Sequence, residues 1–336
     1  MAKRREDEMS SAEVPENGRI KIDVIIPAFR PGDKLEQLLK RLQKQTWRPN
    51  RIIIMNTERQ YWNAERYEPL FEGSETELTL IHLAQEDFDH GGTRHRGILE
   101  SDAEICICMT QDAIPHNREL VKNLVSALMA GEDIAASYAR QLPAVDCGVI
   151  ERFTRDFNYP GISRVKGKED LEILGIKTYF CSNVCAAYKR DIYLKLGGFT
   201  AKTVFNEDMI YAATAVKAGY KIAYAANAEV IHSHNYKAME QLHRNFDLAV
   251  SQADHPEVFG GLPSEGEGMR LVRTTAGWLL KNGKWYLLPE LVLQSGFKYI
   301  GYRLGKAYKK LPRSVVLRCT MNPDYWKKKK RRKRQA

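Results

Sequence analysis

The chain has 336 residues, 43% of them hydrophobic and 28% charged, a composition that fits a soluble globular protein with one large or two small domains. Its formal net charge of +10 comes from one end: residues 306–334 contain 13 Lys and Arg against Asp324 alone, a net of +12, which leaves about −2 for the rest. The basicity therefore belongs to a tail, and the near-neutral body argues against a nucleic-acid-binding protein.

Cysteine usage and the N-terminal end narrow the class further. The six cysteines form no Cys-x-x-Cys pair, so we expect reduced thiols that pack as small hydrophobes and no zinc site. Residues 1–20 are charged and polar, unlike a signal peptide, and are predicted to be disordered. We find no apolar run of the roughly 18 residues that a transmembrane helix needs, and we therefore expect the body to be cytoplasmic.

Apolar strands alternate with amphipathic helices from the first strand to about residue 255. This alternation predicts an α/β fold with a mostly parallel sheet and helices on both faces. The predicted strands cover 21–27, 51–55, 78–83, 105–109, 134–138, 180–188, 221–225 and 228–231. The predicted helices follow Asp33 and Thr93 and cover 117–129, 190–196, 209–218 and 236–253.

The character of the sequence changes near residue 260, where Gly and Pro mark a boundary. Beyond it, helical stretches at 271–281, 285–294 and 297–310 mix Trp, Tyr and Lys into apolar faces. The sequence therefore predicts four regions, which are a disordered N-terminus at 1–20, an α/β domain at 21–259, a helical extension at 260–325 and a basic tail at 326–336.

One short stretch holds the first candidate site. Residues 105–109 read as a buried strand that ends in Thr110-Gln111-Asp112. A carboxylate at the C-terminal end of a parallel strand lies where open α/β sheets bind ligands, and a hard cation on a diphosphate needs such an oxygen ligand. Asp112 is therefore predicted to hold a divalent metal on a nucleotide diphosphate. The alternative is that Asp112 is only a turn or N-cap residue.

Several motifs occur in the order that one family shows. They are Val24-Ile-Ile-Pro-Ala-Phe29, Gly91-Gly-Thr-Arg94, Gln111-Asp112-Ala113, Gly197-Gly-Phe199, Asn206-Glu-Asp208 and His232-Ser-His234. Together they resemble the family-2 glycosyltransferases of the GT-A fold over about residues 21–255. The segments 88–94 and 110–113 are similar, more narrowly, to the bacterial rhamnosyltransferases that build cell-wall polysaccharides.

The resemblance implies roles for two carboxylates. An acceptor hydroxyl is a poor nucleophile and needs a general base; Asp208 matches the base of the family motif, and Glu207 is expected to assist catalysis and touch the acceptor. Gly198 and Phe199 are expected to shape the acceptor side. The alternative is that two carboxylates here merely favour a helix N-terminus.

The resemblance also implies a metal and nucleotide site. The family's Asp-x-Asp motif reads Thr110-Gln111-Asp112 here, without its first carboxylate. Mg²⁺ or Mn²⁺ is expected on Asp112 and His234, with His232 a weaker candidate and packing the alternative for both imidazoles. The expected contacts to the nucleotide sugar are Pro27, Ala28, Phe29, Arg30, Asn56, Thr57, Glu58, Asp89, Gly92, Thr93, Arg94, Gln111 and Asp112. Arg94 is a candidate diphosphate clamp or a surface salt-bridge residue, and Asn56 stands where the family often has Asp.

The function implied is inverting transfer of L-rhamnose from dTDP-β-L-rhamnose to a lipid-linked saccharide in cell-wall polysaccharide synthesis. One alternative is the same mechanism with a UDP-hexose; another is a non-catalytic, basic-tailed binding protein. The aromatic and basic C-terminal helices predict peripheral docking on an anionic membrane, at the inner face of the cell membrane. A homo-oligomer formed through these helices is the alternative, and no nucleic-acid partner is expected.

Overall fold

The computed structural model describes residues 20–201, 203–261 and 265–327, and these fall into two compact units. The first comprises residues up to 142 together with 159–200 and 208–232. The second comprises 143–158, 201–207 and the residues from 233 onward. The predicted disordered N-terminus, apart from Ile20, and the basic tail, apart from its first two residues, lie outside the described ranges.

The first unit contains a nine-stranded mixed sheet. Its strands are β1 Ile22–Phe29, β2 Arg51–Thr57, β3 Glu77–Leu83, β4 Ile105–Met109, β5 Ile114–Pro115, β6 Ile134–Leu142, β7 Arg164–Lys166, β8 Cys185–Lys189 and β9 Lys221–Ile231. The order is β3-β2-β1-β4-β8-β6-β9-β5, with β7 also on β9. The pairs β1–β2, β2–β3, β1–β4 and β6–β9 are parallel, whereas β8 runs antiparallel to β4 and β6. The predicted mostly parallel sheet is confirmed.

The helices have the following bounds. They are α1 Asp33–Leu42, α2 Ala64–Tyr67, α3 His90–Leu99, α4 Leu120–Met129, α5 Val149–Asn158, α6 Leu171–Leu174, α7 Arg190–Lys195, α8 Glu207–Lys217, α9 Ala238–Asp254, α10 Pro256–Phe259, α11 Glu265–Lys281, α12 Leu288–Lys306 and α13 Arg313–Cys319. No helix among the described residues is long and apolar enough to cross a bilayer.

The period-2 alternation of β1 divides the core between the two faces of the sheet. Val24 and Ile26 pack in a cluster that includes Leu38 of α1 and Leu124 of α4. On the opposite face, α3 approaches the sheet so closely that a Cβ at Gly97 would lie 2.5 Å from Ile25 Cγ2. Glycine is therefore required at this crossing, and the helices cover both faces of the sheet as predicted.

An aromatic cluster closes part of the first unit. The rings of Tyr188, Tyr193, Phe199 and Tyr211 lie 5.0–5.8 Å apart between centroids, mostly edge to face. All four side chains are buried. Such contacts stabilise a core beyond the area they bury, and the cluster fixes β8, α7 and α8 relative to one another.

The second unit is helical, and two of its helices are in unusually close contact. A Cβ at Gly301 of α12 would lie 2.2 Å from the carbonyl oxygen of Leu242 in α9, and one at Gly305 would lie 2.3 Å from the carbonyl oxygen of Phe246. Glycines four residues apart share one face of a helix. This spacing therefore lets the two backbones touch, which explains the Gly301-Tyr-Arg-Leu-Gly305 stretch.

Several predicted element boundaries were wrong, among them the helix predicted at 271–281, which begins at Glu265, and the strand predicted at 134–138, which continues to Leu142. The strand predicted at 180–188 begins only at Cys185, because the residues before it turn away to bond other segments. The strands predicted at 221–225 and 228–231 are the single strand β9, which continues through a register irregularity opposite Ala139 and Arg140. The predicted helices 285–294 and 297–310 form one helix, α12, which continues through Gly296. A glycine inside a helix costs about 1 kcal/mol relative to alanine, and the packing of α12 on α9 offsets this cost.

Candidate active site

Gln111 joins the ends of two parallel strands. Its side-chain Oε1 accepts from the backbone N–H of Phe29, and its Nε2 donates to the carbonyl of the same residue, both at 3.0 Å. A carboxylate could accept the first bond but could not donate the second. Gln111, at the middle position of the family's Asp-x-Asp pattern, therefore clamps the loop after β1 to the end of β4.

Phe29 and Arg30 form a small exposed platform with Tyr61. The Arg30 guanidinium carbon lies 4.8 Å from the Tyr61 ring centroid and 5.1 Å from that of Phe29. An Arg30 Nη2 donates to the Tyr61 hydroxyl at 3.0 Å, and Arg30 has a φ of 46°. The predicted Pro27-Ala28-Phe29-Arg30 loop thus presents a cationic, aromatic surface. Sequence reasoning missed Tyr61, which lies in the loop after β2 without a motif to mark it.

Asn56 and Thr57 end β2 in a buried position. Asn56 Nδ2 donates to the Glu58 carbonyl and lies 3.0 Å from His82 Nδ1. Asn56 Oδ1 and Thr57 Oγ1 are buried without a hydrogen-bond partner among the described residues. A buried polar atom without a partner lowers the stability of the fold. Glu58, with a φ of 65°, accepts from the backbone N–H of Gln85 at 2.6 Å. The strand end therefore holds a buried amide oxygen that has no hydrogen-bond donor among the described residues.

The Asp89-to-Arg94 segment builds the start of α3. Asp89 Oδ1 accepts from the backbone N–H of Gly92 at 2.7 Å, and the Asp89 N–H donates to Thr93 Oγ1 at 3.2 Å. Arg94 is 5% exposed and donates to the His90 carbonyl at 3.0 Å. These contacts give the segment a capping role. Its predicted contact with the nucleotide stays a prediction, and the burial of Arg94 removes the surface salt-bridge alternative.

Asp112 and His232 meet at the edge of the sheet. Asp112 Oδ1 lies 3.7 Å from His232 Nε2, and the imidazole is buried. Gln141 Oε1 lies 3.1 Å from the other ring nitrogen, Nδ1. Because an amide oxygen can only accept, Nδ1 carries the hydrogen in the neutral ring, and the Nε2 lone pair faces Asp112.

His234 follows two residues after His232 and stacks on Tyr236 with ring centroids 5.0 Å apart. Asp112, His232 and His234 each offer one potential ligand atom, and these atoms lie within 4.8 Å of one another. His232 was the weaker candidate in the sequence analysis, and it lies together with the two predicted ligands, Asp112 and His234.

The chemistry of these donors decides which ion fits. Two imidazoles and one carboxylate form a mixed nitrogen and oxygen set, which suits Mn²⁺ and other first-row transition ions. Mg²⁺ prefers oxygen ligands and retains its water. The group therefore fits a divalent metal, and of the two predicted ions it fits Mn²⁺ better.

Asp208 is held by the segment before β8. Its Oδ2 accepts from the backbone N–H of Asn183 at 2.9 Å, and its Oδ1 accepts from the N–H of Met209 at 2.8 Å. The next residue after Asn183, Val184, accepts through its carbonyl from the N–H of Thr110 at 3.1 Å. The base candidate and the strand end that leads to Asp112 therefore bond the same short segment. No motif marks Asn183, and its role could not be predicted from the sequence.

The remaining predicted residues lie in more enclosed positions. Glu207 is 7% exposed, directly after Asn206, whose φ is 64°. Gly198 has a φ of 67°, and a Cβ there would lie 2.5 Å from His95 Nδ1, so only glycine fits. Phe199, at 3% exposure, belongs to the aromatic cluster, which gives its ring a packing role. Contact of these residues with an acceptor stays a prediction.

Comparisons of the sequence with known proteins agree on one class of protein. Residues 23–197 match the family described as glycosyl transferase family 2. The chain is 38% identical to the O-antigen chain rhamnosyltransferase RfbN of Salmonella typhimurium over 311 residues, which are 91% of this chain and 96% of that protein. It is 35% identical to the O-antigen chain rhamnosyltransferase WbaN of Salmonella anatum over 308 residues, 90% of this chain and 95% of that protein.

Solved structures support the fold. The mannosyltransferase PcManGT from Pyrobaculum calidifontis, in complex with GDP-Man and Mn²⁺, superposes with a TM-score of 0.61 at 15% identity, covering 92% of this chain and 94% of that one. Staphylococcus aureus TarS 1–349 gives a TM-score of 0.51 at 14% identity, covering 87% and 91%. At these identities the likeness concerns the fold and not the substrate.

Fold and comparisons together define a glycosyltransferase with the GT-A fold. Within that class, the chain belongs to glycosyl transferase family 2. The predicted family, fold and enzyme class are confirmed.

Proposed function

We propose that this glycosyltransferase moves L-rhamnose from dTDP-β-L-rhamnose to a saccharide acceptor with inversion, using Asp208 as the general base. The observation that carries the proposal is the shared Asn183–Val184 segment, which bonds Asp208 on one side and Thr110, two residues before Asp112, on the other. Base and diphosphate site would then flank one space at the edge of the sheet, as displacement at an anomeric carbon requires.

The chemical step needs little beyond a positioned carboxylate. Asp208 takes the proton from the acceptor hydroxyl as its oxygen bonds to the anomeric carbon, while the bond from that carbon to the diphosphate oxygen breaks. The N–H groups of Asn183 and Met209 fix the orientation of the carboxylate. Because the base lies opposite the leaving group, the configuration at the anomeric carbon inverts. Glu207 would orient the acceptor.

Asp112, His232 and His234 would hold a divalent ion, with Mn²⁺ the better fit to their donor atoms. When bound, such an ion would neutralise the charge that builds on the departing nucleoside diphosphate. Asp112 and the two imidazoles would orient the diphosphate, and the Gln111 clamp on Phe29 would hold the nucleoside loop in register with them.

The end of β2 and the platform beside it suit a pyrimidine nucleoside. Asn56 Oδ1 is a buried acceptor that would pair with the N3–H of thymine or uracil. The Arg30, Phe29 and Tyr61 group would stack on the base or ribose. Both contacts are compatible with dTDP and with UDP, so the platform selects a pyrimidine without selecting the sugar.

The rhamnosyl assignment is supported by the two relatives named as O-antigen chain rhamnosyltransferases, each matched over at least 90% of this chain. A UDP-hexose is the competing donor. The test is a saturation-binding and transfer panel with dTDP-L-rhamnose, UDP-glucose and UDP-galactose in the presence of Mn²⁺. Preferred binding and turnover of dTDP-L-rhamnose is expected, whereas preference for a UDP-hexose would overturn the donor assignment and leave the mechanism standing.

We further propose that the helical extension docks on an anionic membrane, which would bring the site to a lipid-linked acceptor. Half of the sixteen exposed large hydrophobic side chains of the described residues lie between 269 and 300. On α12, the exposed side chains of Val292, Leu293, Tyr299 and Ile300 repeat at a spacing of seven residues, opposite the glycines that pack on α9. Exposed basic residues accompany them, which are Lys281, Arg303, Lys306, Lys309 and Lys310. An apolar stripe with basic flanks suits an interfacial helix.

Vesicle flotation tests the docking surface. The double variant Trp285→Ser, Tyr286→Ser removes two side chains that are 67% and 60% exposed, and it should lose binding to vesicles that contain phosphatidylglycerol. The matched control is Ile173→Ser, at a position 80% exposed in the first unit, which should bind like the wild type. Wild-type flotation of the double variant would contradict membrane docking through these side chains. Conversion of the variant from dimer to monomer, with flotation unchanged, would favour the oligomer alternative.

A further inference from the structure

The buried amide of Gln141 has a role that neither the sequence motifs nor the comparisons with known proteins assign. The residue is 3% exposed near the end of β6. β6 and β9 pair in parallel, with Gln141 opposite Val230. Side chains two residues apart on a strand share a face, so this register brings Gln141 beside the imidazole of His232.

Three hydrogen bonds orient the Gln141 side chain. Its Nε2 donates to the Tyr159 hydroxyl at 2.6 Å and to Ser182 Oγ at 3.0 Å. Its Oε1 is thereby turned toward His232 Nδ1, at 3.1 Å. The amide thus connects the buried Tyr159 to the imidazole. Its oxygen cannot turn away from His232 Nδ1 unless the two hydrogen bonds donated by Nε2 break.

We propose that Gln141 is a positioning residue that holds His232 in the tautomer and orientation in which Nε2 is the metal-binding nitrogen. This rests on the proposed metal site. An imidazole whose Nδ1–H is held by an acceptor presents a fixed lone pair at Nε2, and the acceptor behind a metal-bound histidine typically contributes tenfold to a hundredfold in metal affinity, by about 1.4 kcal/mol per factor of ten. Here that acceptor is an uncharged amide.

The position of Ser182 extends the consequence. Ser182 accepts from Gln141, and the next residue, Asn183, donates to Asp208. The metal side and the base side of the site are therefore braced by adjacent residues of one segment. Gln141 acts on the reaction through His232 and Ser182, without contacting substrate.

Mn²⁺ binding to the full-length protein, measured by the loss of the free-ion electron paramagnetic resonance signal, tests the proposal. Gln141→Leu removes the acceptor at nearly constant volume and should weaken Mn²⁺ affinity by about ten- to a hundredfold. Gln141→Glu keeps an oxygen toward Nδ1, and the hydroxyls of Tyr159 and Ser182 can donate to the carboxylate, so Mn²⁺ affinity should stay within about threefold of wild type. Gln45→Leu, the same change at another 3%-exposed glutamine, should leave Mn²⁺ affinity unchanged.

A second measurement needs no buried substitution. Long-range ¹H–¹⁵N spectra of the histidine side chains, with His232→Asn for assignment, should show His232 of the metal-free wild type as the Nδ1–H tautomer. Wild-type Mn²⁺ affinity in Gln141→Leu, or an Nε2–H tautomer in the wild type, would overturn the role of Gln141 alone. Undiminished Mn²⁺ binding in both Asp112→Asn and His232→Ala would instead overturn the metal site on which it rests.

Discussion

The backbone N–H of Asn183 donates to the carboxylate of Asp208 at 2.9 Å, and this bond sets the geometry of the site. Asn183 immediately follows Ser182, which Gln141 holds, and precedes Val184, which pairs with Thr110. The three residues before β8, Ser182 to Val184, thus connect the base candidate to the strand end that carries Asp112. Backbone donors are suited to this task, because they position a carboxylate without adding a competing charge.

Replacing Gln111 by leucine should weaken donor binding more than turnover. The substitution removes two hydrogen bonds to the Phe29 backbone, worth about 0.5–1.5 kcal/mol each in a partly exposed setting. We expect KM for the nucleotide sugar to rise about tenfold, as about 1.4 kcal/mol implies, with kcat little changed. Gln43→Leu, at a half-buried glutamine just after α1, is the control. An unchanged KM would show that the clamp does not shape the nucleoside loop.

Two glycines of α12 should resist any side chain. Gly301→Ala and Gly305→Ala place a Cβ against carbonyl oxygens of α9, and each should lower the free energy of unfolding by about 1–3 kcal/mol, the usual cost of overpacking. Gly296→Ala lies in the same helix with no atom within 4 Å of its Cβ, and it should be neutral or stabilise by about 0.5–1 kcal/mol. Urea denaturation of the three variants decides the matter; equal effects would contradict the close helix contact.

Lys166 should make stability depend on pH. It is 4% exposed, and its Nζ donates to the Tyr138 hydroxyl and to the carbonyls of Lys177 and Phe180. Burial lowers its pKa to about 7 from 10.5, so above pH 7 the unfolded chain holds a proton that the folded chain has lost. The free energy of unfolding should therefore rise between pH 7 and 10, by at most about 1.4 kcal/mol per pH unit.

Lys166→Met, which carries no proton at this position, should flatten that rise. The exposed Lys44→Met is the control and should keep the slope of the wild type. Denaturant titrations at several pH values give the slopes. Parallel curves for the wild type and Lys166→Met would show that this amine does not titrate in the window.

The motifs could be predicted from the sequence, whereas the contacts that hold their side chains in place could not. Strand β4 was predicted with its observed bounds because five apolar residues run into a polar turn. Asp112 and Asp208 stood out because each ends or begins an element. The Gln141–His232 contact joins residues 91 apart, and the Gln111–Phe29 clamp joins residues 82 apart. No local pattern marks such pairs, since tertiary register alone brings them together.

The predicted strand at 180–188 shows the same limit from the other side. Apolar content suggested one continuous strand, yet Ser182 and Asn183 leave the ladder to bond Gln141 and Asp208. The stretch 180–184 therefore supports the site and does not extend the sheet by five residues. Periodicity describes which residues are buried and does not describe what a buried polar group bonds.

The Asp208→Asn variant separates donor binding from turnover. Equilibrium binding of the Mn²⁺–nucleotide sugar complex should match the wild type, while the single-turnover rate of transfer should fall by about 10²–10⁴, the usual contribution of a general base. Asp191→Asn, at an exposed carboxylate of α7, should change neither quantity. Transfer by Asp208→Asn at the wild-type rate would contradict the assignment of the base and, with it, the central geometry proposed here.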